Sequence, residues 1–177
     1  MRGRFFQFLT ASGVFSRKRV DLGTRLLIDS MVLPENGNVL DLGCGYGAVG
    51  IVAAALNPLT HVYMVDVNER AVQLAKENAK RNRVNNGIFR SGFLYKPVSD
   101  VQFETILSNP PVSAGLKIVL PIIKQAPAHL ASKGSLQMVV RSKIGGKRFA
   151  EVMETLFGQV EILARKSGYR VLMSKKP

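Results

Sequence analysis

Glycines at positions 43, 45 and 47 separate one apolar run, residues 39–42, from a second, residues 48–56, and an acid, Asp41, lies inside the first run. Glycine permits positive φ and lets backbone approach a ligand closely, while the first turn of a following helix presents unpaired N–H groups. Residues 38–50 therefore read as a strand, a ligand-holding turn and a helix, the arrangement of a nucleotide-like cofactor site. Gly45-Tyr46-Gly47-Ala48-Val49-Gly50 also fits the dinucleotide pattern G-x-G-x-x-G, with Asp66 placed 21 residues beyond Gly45. Asp41 argues against a dinucleotide, because a carboxylate at the mouth of the strand repels a pyrophosphate. S-adenosylmethionine carries a sulfonium and an ammonium and no phosphate, so an acid beside the turn suits it, and Asp66 can accept from ribose hydroxyls. The structural alternative for Asp41 is a helix or turn cap.

A second motif, Asn109-Pro110-Pro111-Val112, follows another apolar run. Proline has no N–H and stiffens the chain, which leaves the Asn109 amide oxygen and the Pro110 carbonyl as two fixed acceptors. Two acceptors match a planar exocyclic amine, which has two N–H donors and a weakly nucleophilic lone pair. A methyl on sulfonium held in line with that nitrogen needs positioning more than a protein nucleophile. His61 and His129 are accordingly read as structural, and Cys44 as a small residue packed between loop glycines.

These motifs need a scaffold that brings them together. Residues 4–10 suggest a short strand and residues 13–16 a turn. Residues 21–32 read as a helix with Leu22, Leu26, Leu27 and Met31 on one face, and residues 34–37 as a turn. The strand at 39–42 and the helix at 48–56, ended by Asn57-Pro58, precede a strand at 61–67. Asn68 caps a helix from 69 to about 83 whose Ala71, Leu74, Ala75, Asn78 and Ala79 face a sheet. Strands follow near 88–91 and at 103–108. Residues 116–130 read as a helix that Pro121 and Pro127 must kink or break. A strand at 134–141, a helix at 147–157, and a hairpin of 160–165 with 169–174 around Ser167-Gly168 complete the chain. Alternating strands and helices predict an α/β, Rossmann-like domain: a mostly parallel sheet with helices on both faces, a C-terminal antiparallel hairpin, and ligands at the carboxyl ends of the strands.

The chain has 177 residues and is 46% hydrophobic, so a single domain burying about 70% of its unfolded surface is expected over residues 1–177. Lys and Arg number 25 against 12 Asp and Glu, a net charge of +13, which favours polyanions. The charge has a direction: residues 105–150 contain seven Lys or Arg and no acid, and the first twenty residues contain five and none. Arg141, Lys143, Lys147 and Arg148 follow a central strand at its carboxyl end and are read as phosphate contacts. One cysteine excludes an internal disulfide, the apolar patch at 5–9 is too short for an export signal, and no run approaches the ~20 residues of a membrane span. A soluble, cytoplasmic protein is expected.

The sequence resembles class I S-adenosylmethionine-dependent methyltransferases, specifically the small domain of ribosomal small-subunit RNA guanine-N2 methyltransferases and their short archaeal relatives. Four features carry the resemblance: Gly13-Val14-Phe15-Ser16 with Asp21-Leu22-Gly23-Thr24, the run 39–50, Asn109-Pro110-Pro111, and Gly168-Tyr169-Arg170-Val171-Leu172 with Lys175-Lys176. It implies a seven-stranded methyltransferase sheet. It also implies S-adenosylmethionine held by Asp41, Gly43, Cys44, Gly45, Tyr46, Gly47 and Val67, with Asp66 on the ribose, Asn109 with Pro110 on the target amine, and Asn109 also at the cofactor. Gly92 stands where relatives often have Asp or Asn at the adenine, so backbone or Phe93 is expected to supply that contact. Val112 stands where many amine methyltransferases have an aromatic, and Phe15, beside Thr24 at the substrate mouth, is the candidate to replace the stack. Bacterial members carry a further N-terminal half outside the matched stretch.

The reading is an RNA methyltransferase acting on an exocyclic amine, guanine N2 first and adenine N6 second, with ribosomal RNA or a ribosomal subunit as partner. Its catalytic residues are Asn109, Pro110 and Pro111. Methylation of DNA adenine or of a protein glutamine amide remains open within the same fold. A noncatalytic RNA-binding module and a dinucleotide-dependent oxidoreductase remain open outside it.

Overall fold

A computed structural model describes residues 1–10, 20–111 and 116–177. Seven strands, β1 Gly37–Leu42, β2 Thr60–Asp66, β3 Gly87–Ser91, β4 Phe103–Ser108, β5 Leu130–Arg141, β6 Glu161–Lys166 and β7 Tyr169–Lys175, form one sheet in the order β3-β2-β1-β4-β5-β7-β6. β1 to β5 are parallel and β7 is antiparallel to both β5 and β6. The helices are α1 Leu22–Ser30, α2 Ala48–Leu56, α3 Glu69–Arg81, α4 Leu116–His129 and α5 Lys147–Phe157. The Rossmann-like α/β architecture and the closing antiparallel pair agree with the sequence reading.

Alternation along the strands splits the core into two layers. Val39, Val62, Met64, Leu107, Val139 and Val171 face α1, α2 and α3. Leu40, Leu42, Ile106, Leu136, Met138 and Leu172 face α4 and α5. Because β1, β4 and the inner stretches of β5 and β7 have both faces covered, they read as nearly continuous apolar runs. The strand order reverses between β1 and β4, where Asp41 pairs with Leu107 in register. That reversal opens a crevice at the strand ends, and it sets residue 43 beside residue 109.

Several expectations need correction. Residues 4–10 form no strand. Their backbone groups are met by side chains of α3 instead: Gln7 N–H donates to Asn82 Oδ1 (3.0 Å) and Asn82 Nδ2 donates to the Gln7 carbonyl (2.7 Å), while Leu9 makes the same exchange with Asn78 (2.7 and 3.0 Å). Two amides one helical turn apart thus do for alternate residues what a neighbouring strand would. Pro121 and Pro127 lie inside α4 without breaking it. Leu22 is exposed rather than packed with Leu26 and Leu27, because α1 begins there with Asp21 as its cap. α3 ends at Arg81, where Asn82 takes the cap position, and β5 starts four residues before 134. The expected turn at 13–16 lies outside the described residues.

Candidate functional site

A cavity of about 390 Å³ opens at the carboxyl ends of β1, β2 and β4, at the reversal of strand order. The glycine turn forms one wall. Gly43 and Cys44 N–H both donate to the Val65 carbonyl (2.8 and 3.0 Å), which fastens the turn to β2. Gly43, Gly45 and Gly47 have φ of 77°, 56° and 90°, so all three need the left-handed freedom of glycine. A Cβ at Gly43 or Gly45 would meet nothing within 4 Å, since both face open space, whereas one at Gly47 would press into Ile51 and Ala75. Gly47 therefore serves the seating of α2 on α3. It does not line the cavity, contrary to its expected place in the cofactor set.

Asp41 and Asp66 both line the cavity. Asp41 shares a face with Val39, which points it under α2, where its Oδ2 accepts from Gly50 N–H at 2.7 Å. The capping alternative is thus realised together with the cavity position. A Cβ at Gly50 would lie 2.6 Å from Met64 Cγ and 3.0 Å from Asp41 Oδ2, so only glycine lets that contact form. Burial pushes the Asp41 carboxyl up to about 7; the Gly50 hydrogen bond opposes the rise and the nearby Asp66 adds to it. Asp66 bridges β2 and the turn, its Oδ2 accepting from Gly45 N–H (2.8 Å) and its Oδ1 from Asn68 N–H (2.9 Å). Burial also pushes the Cys44 thiol up, which keeps it neutral and unreactive. No Lys, Arg or His occurs among the described residues lining the cavity. Two acids without a counter-charge make a site for a cation and a poor one for a pyrophosphate.

Asn109 and Pro110 stand opposite the turn, with Ser108 Oγ tying β4 to the Leu42 carbonyl at 2.8 Å. Asn109 Nδ2 donates to Thr24 Oγ1 at 2.7 Å, and the Thr24 hydroxyl donates to Asp21 Oδ2. Asp21 Oδ1 meanwhile caps α1 through Gly23 and Thr24 N–H. An ionised carboxylate only accepts, so it takes the single proton of Thr24, and the hydroxyl can then only accept from Asn109. The chain of donors fixes the amide the other way round from a free choice: Nδ2 faces Thr24, and Oδ1, which takes no hydrogen bond among the described residues, is left for a ligand.

Of the expected cofactor residues, Cys44, Tyr46, Val67, Gly92 and Phe93 also line the cavity, as do Thr24 and Pro111. Val67 and Phe93 are exposed at its rim, offering apolar walls for a flat ring. Arg141, Lys143, Lys147 and Arg148 do not line it. Arg141 instead lies over the Tyr169 ring (5.0 Å) and donates to its hydroxyl (2.9 Å), and Lys147 pairs loosely with Glu151. Two cations of the first twenty residues are occupied elsewhere: Arg2 donates to the Ile28 and Met31 carbonyls at the end of α1, and Arg4 to the Ala55 carbonyl at the end of α2. Phe15 and Val112 lie outside the described residues. Asn68, Leu94, Ile118 and Ile122 line the cavity and were missed. The spacing of Ile118 and Ile122, one turn apart just after Pro111, was the available signal for that floor.

The methyltransferase small-domain model matches residues 6–173 of the chain. The chain is 42% identical to the uncharacterized protein YbxB of Bacillus subtilis, over 99% of this chain and 89% of that protein. It is 36% identical to ribosomal RNA small subunit methyltransferase C of Aeromonas hydrophila, over 94% of this chain but 48% of the relative, so it spans about half the length of relatives of that name. Among solved structures, the 16S rRNA N2 G1207 methyltransferase of T. thermophilus in complex with AdoMet and guanosine superposes with a TM-score of 0.82 at 24% identity, covering 93% of this chain and 46% of that one. That likeness is one of fold.

Proposed function

The chain belongs to the methyltransferase small-domain family, and from that premise we propose that it moves the methyl group of S-adenosylmethionine to the N2 amine of a guanine in RNA. The observation that carries the reading is a cavity lined, among the described residues, by two carboxylates and no cation, and faced by an amide that Thr24 orients with its oxygen free to accept. The open space over Gly43 and Gly45 supports the fit of the cofactor, since a side chain at either position would occupy it. Asp66 would accept from the ribose, Asp41 would lie beside the positive charge, and Val67, Gly92 and Phe93 would enclose the adenine. Bound there, the cofactor supplies an electrophilic methyl on a positively charged sulfur.

The protein's own part is positioning. Asn109 Oδ1 and the Pro110 carbonyl accept the two N–H groups of the target amine, which turns the nitrogen lone pair toward the cofactor. That nitrogen would take the methyl, and the electron pair of the broken carbon–sulfur bond would stay on the cofactor's sulfur. The amine then sheds one proton to solvent. A paired base has to leave its stack to reach this pair of acceptors. The names of the relatives support ribosomal RNA as substrate, and with it a cytoplasmic place beside the ribosome. One continuous sheet over the described residues supports a single catalytic domain.

The test is transfer of labelled methyl from S-adenosylmethionine to ribosomal RNA, transfer RNA, DNA and protein fractions, with nucleoside analysis of the product. Label in N2-methylguanosine is expected. Label in N6-methyladenosine would move the target to adenine, label in protein would remove the RNA reading, and absence of cofactor binding would end the proposal.

A further inference from the structure

The four cations expected to hold phosphate are not alone at their end of the sheet. The turn of the β6–β7 hairpin, Ser167-Gly168, has φ of 48° and 82°, the mirror-image turn that suits a twisted strand pair. It is pinned to the loop after β5: Ser142 N–H donates to the Gly168 carbonyl (2.8 Å) and Arg170 Nε donates to Ser142 Oγ (2.8 Å). The register then places Arg165 opposite Arg170 and Lys166 opposite Tyr169, while Tyr169 pairs on its other side with Arg141. Like charges directly across two strands weaken the pairing. Among the described residues, none of Arg141, Lys143, Arg165, Lys166 and Arg170 has a carboxylate within ion-pair distance. Glu161 begins β6 at the opposite end of the hairpin, opposite Met173. Lys175 and Lys176 are at that far end as well, where Lys176 donates to the Leu130 carbonyl.

This uncompensated charge reaches the amide site through one contact. A Cβ at Gly23 would lie 3.0 Å from Tyr169 Cε1, and Gly23 precedes Thr24, the partner of Asn109. The path from hairpin turn to free amide oxygen therefore runs Tyr169, α1, Asn109.

Building on the proposed function, we infer that the tip of the β6–β7 hairpin, with Arg165, Lys166 and Arg170 beside Arg141 and Lys143, holds the phosphate backbone of the RNA whose base enters the cavity. Charge complementarity names the occupant: the hairpin tip carries cations on both sheet faces, Arg165 and Arg170 on one and Lys166 and Arg141 on the other, and among the described residues of this cluster only Ile144 is a large exposed apolar side chain, which fits a polyanion and not a lipid surface. The repulsion between Arg165 and Arg170 is retained because a phosphate between them relieves it.

The experiment compares parent protein with Arg165→Glu and Lys166→Ala. It measures anisotropy of a labelled RNA stem–loop with unpaired guanosines between 50 and 200 mM salt, S-adenosylmethionine affinity by calorimetry, and Tm. Arg165→Glu is expected to bind the RNA at least about tenfold more weakly, with a salt slope shallower by about one or more. Its Tm should equal or exceed that of the parent, since repulsion across the strands becomes attraction, and its cofactor affinity should be unchanged. Lys166→Ala should reduce affinity and slope in the same direction. Parent-like RNA affinity and slope in both variants would overturn the inference. So would a fall in Tm and cofactor affinity that accounts for the loss, or equal binding of a polyglutamate peptide by the parent. Failure of the parent to bind S-adenosylmethionine strikes the proposed function instead, and the two failures are read from different measurements.

Discussion

With one N–H of its amide committed to Thr24, Asn109 keeps its oxygen free of hydrogen bonds among the described residues, and its orientation rests on two residues about 85 positions away. Asn109→Ala should leave cofactor affinity within about twofold and lower turnover about a hundredfold or more, as expected when a positioned polar partner is removed. Thr24→Val should lower kcat about tenfold at parental cofactor affinity, and Thr24→Ser should recover it. If cofactor affinity instead fell in step with kcat, Thr24 would be acting on the cofactor and not through Asn109. Asp41 makes a different demand. Its carboxyl, raised from 3.8 to about 7, binds a proton in the folded state that the unfolded chain releases. Stability of the ligand-free protein is therefore greatest at low pH with respect to this group and declines as pH rises from about 4 to about 7. A cationic ligand reverses the preference by favouring the ionised form. S-adenosylmethionine affinity should weaken below pH 7 by up to about tenfold per pH unit, with a proton released on binding, measured by calorimetry in two buffers. Asp41→Asn should stabilise the ligand-free protein above pH 7 while losing this pH dependence. A Kd that is flat from pH 5.5 to 8 would show that Asp41 stays away from the charge.

At the scale of elements, α3 has two tasks, one of which its sequence announced. The apolar stripe and the Asn68 cap were legible because helical period and capping chemistry are local. The pairing of Asn78 and Asn82 with Leu9 and Gln7 was not, since it joins residues 69 and 75 positions apart and nothing in the amide side chains names their partners. Asn78 is fully buried and also donates to the Tyr46 carbonyl at 3.0 Å, so one side chain binds the N-terminal segment to the ligand turn. Asn82→Ala should cost about 1 kcal/mol, with faster hydrogen exchange at Gln7 and Leu9. Asn78→Ala should cost about 2–3 kcal/mol, because it strands buried backbone groups, and should also weaken S-adenosylmethionine binding. Equal cofactor affinity in that variant would uncouple the segment from the turn. The false strand at 4–10 has the same origin: an alternating pattern shows which side chains face inward and cannot say whether a strand or two amides will satisfy the backbone.

For the whole molecule, parallel topology carried most of the legibility. Once β1 and β4 are neighbours, the glycine turn and Asn109 must meet, and both motifs could be read from their chemistry alone. Gly47 parts from Gly43 and Gly45 because the same residue type serves a turn open to ligand and a helix packed too closely for a Cβ, and only the fold separates the two. Charge was legible in amount and less so in place: Arg2 and Arg4 are drawn to helix ends, while the cations of the hairpin tip, far along the chain, stand beside Arg141 and Lys143. Their position on β6 has one more effect. β6 is one of the two edge strands of the sheet, and an edge strand leaves one row of backbone groups without a neighbouring strand. Another copy that extended the sheet there in parallel would bring Arg165 and Lys166 against a second set of the same charges. The residues assigned to hold RNA therefore also oppose that parallel mode of self-association, as charged side chains on an edge strand do, and trimming them to improve selectivity for one RNA would weaken that protection.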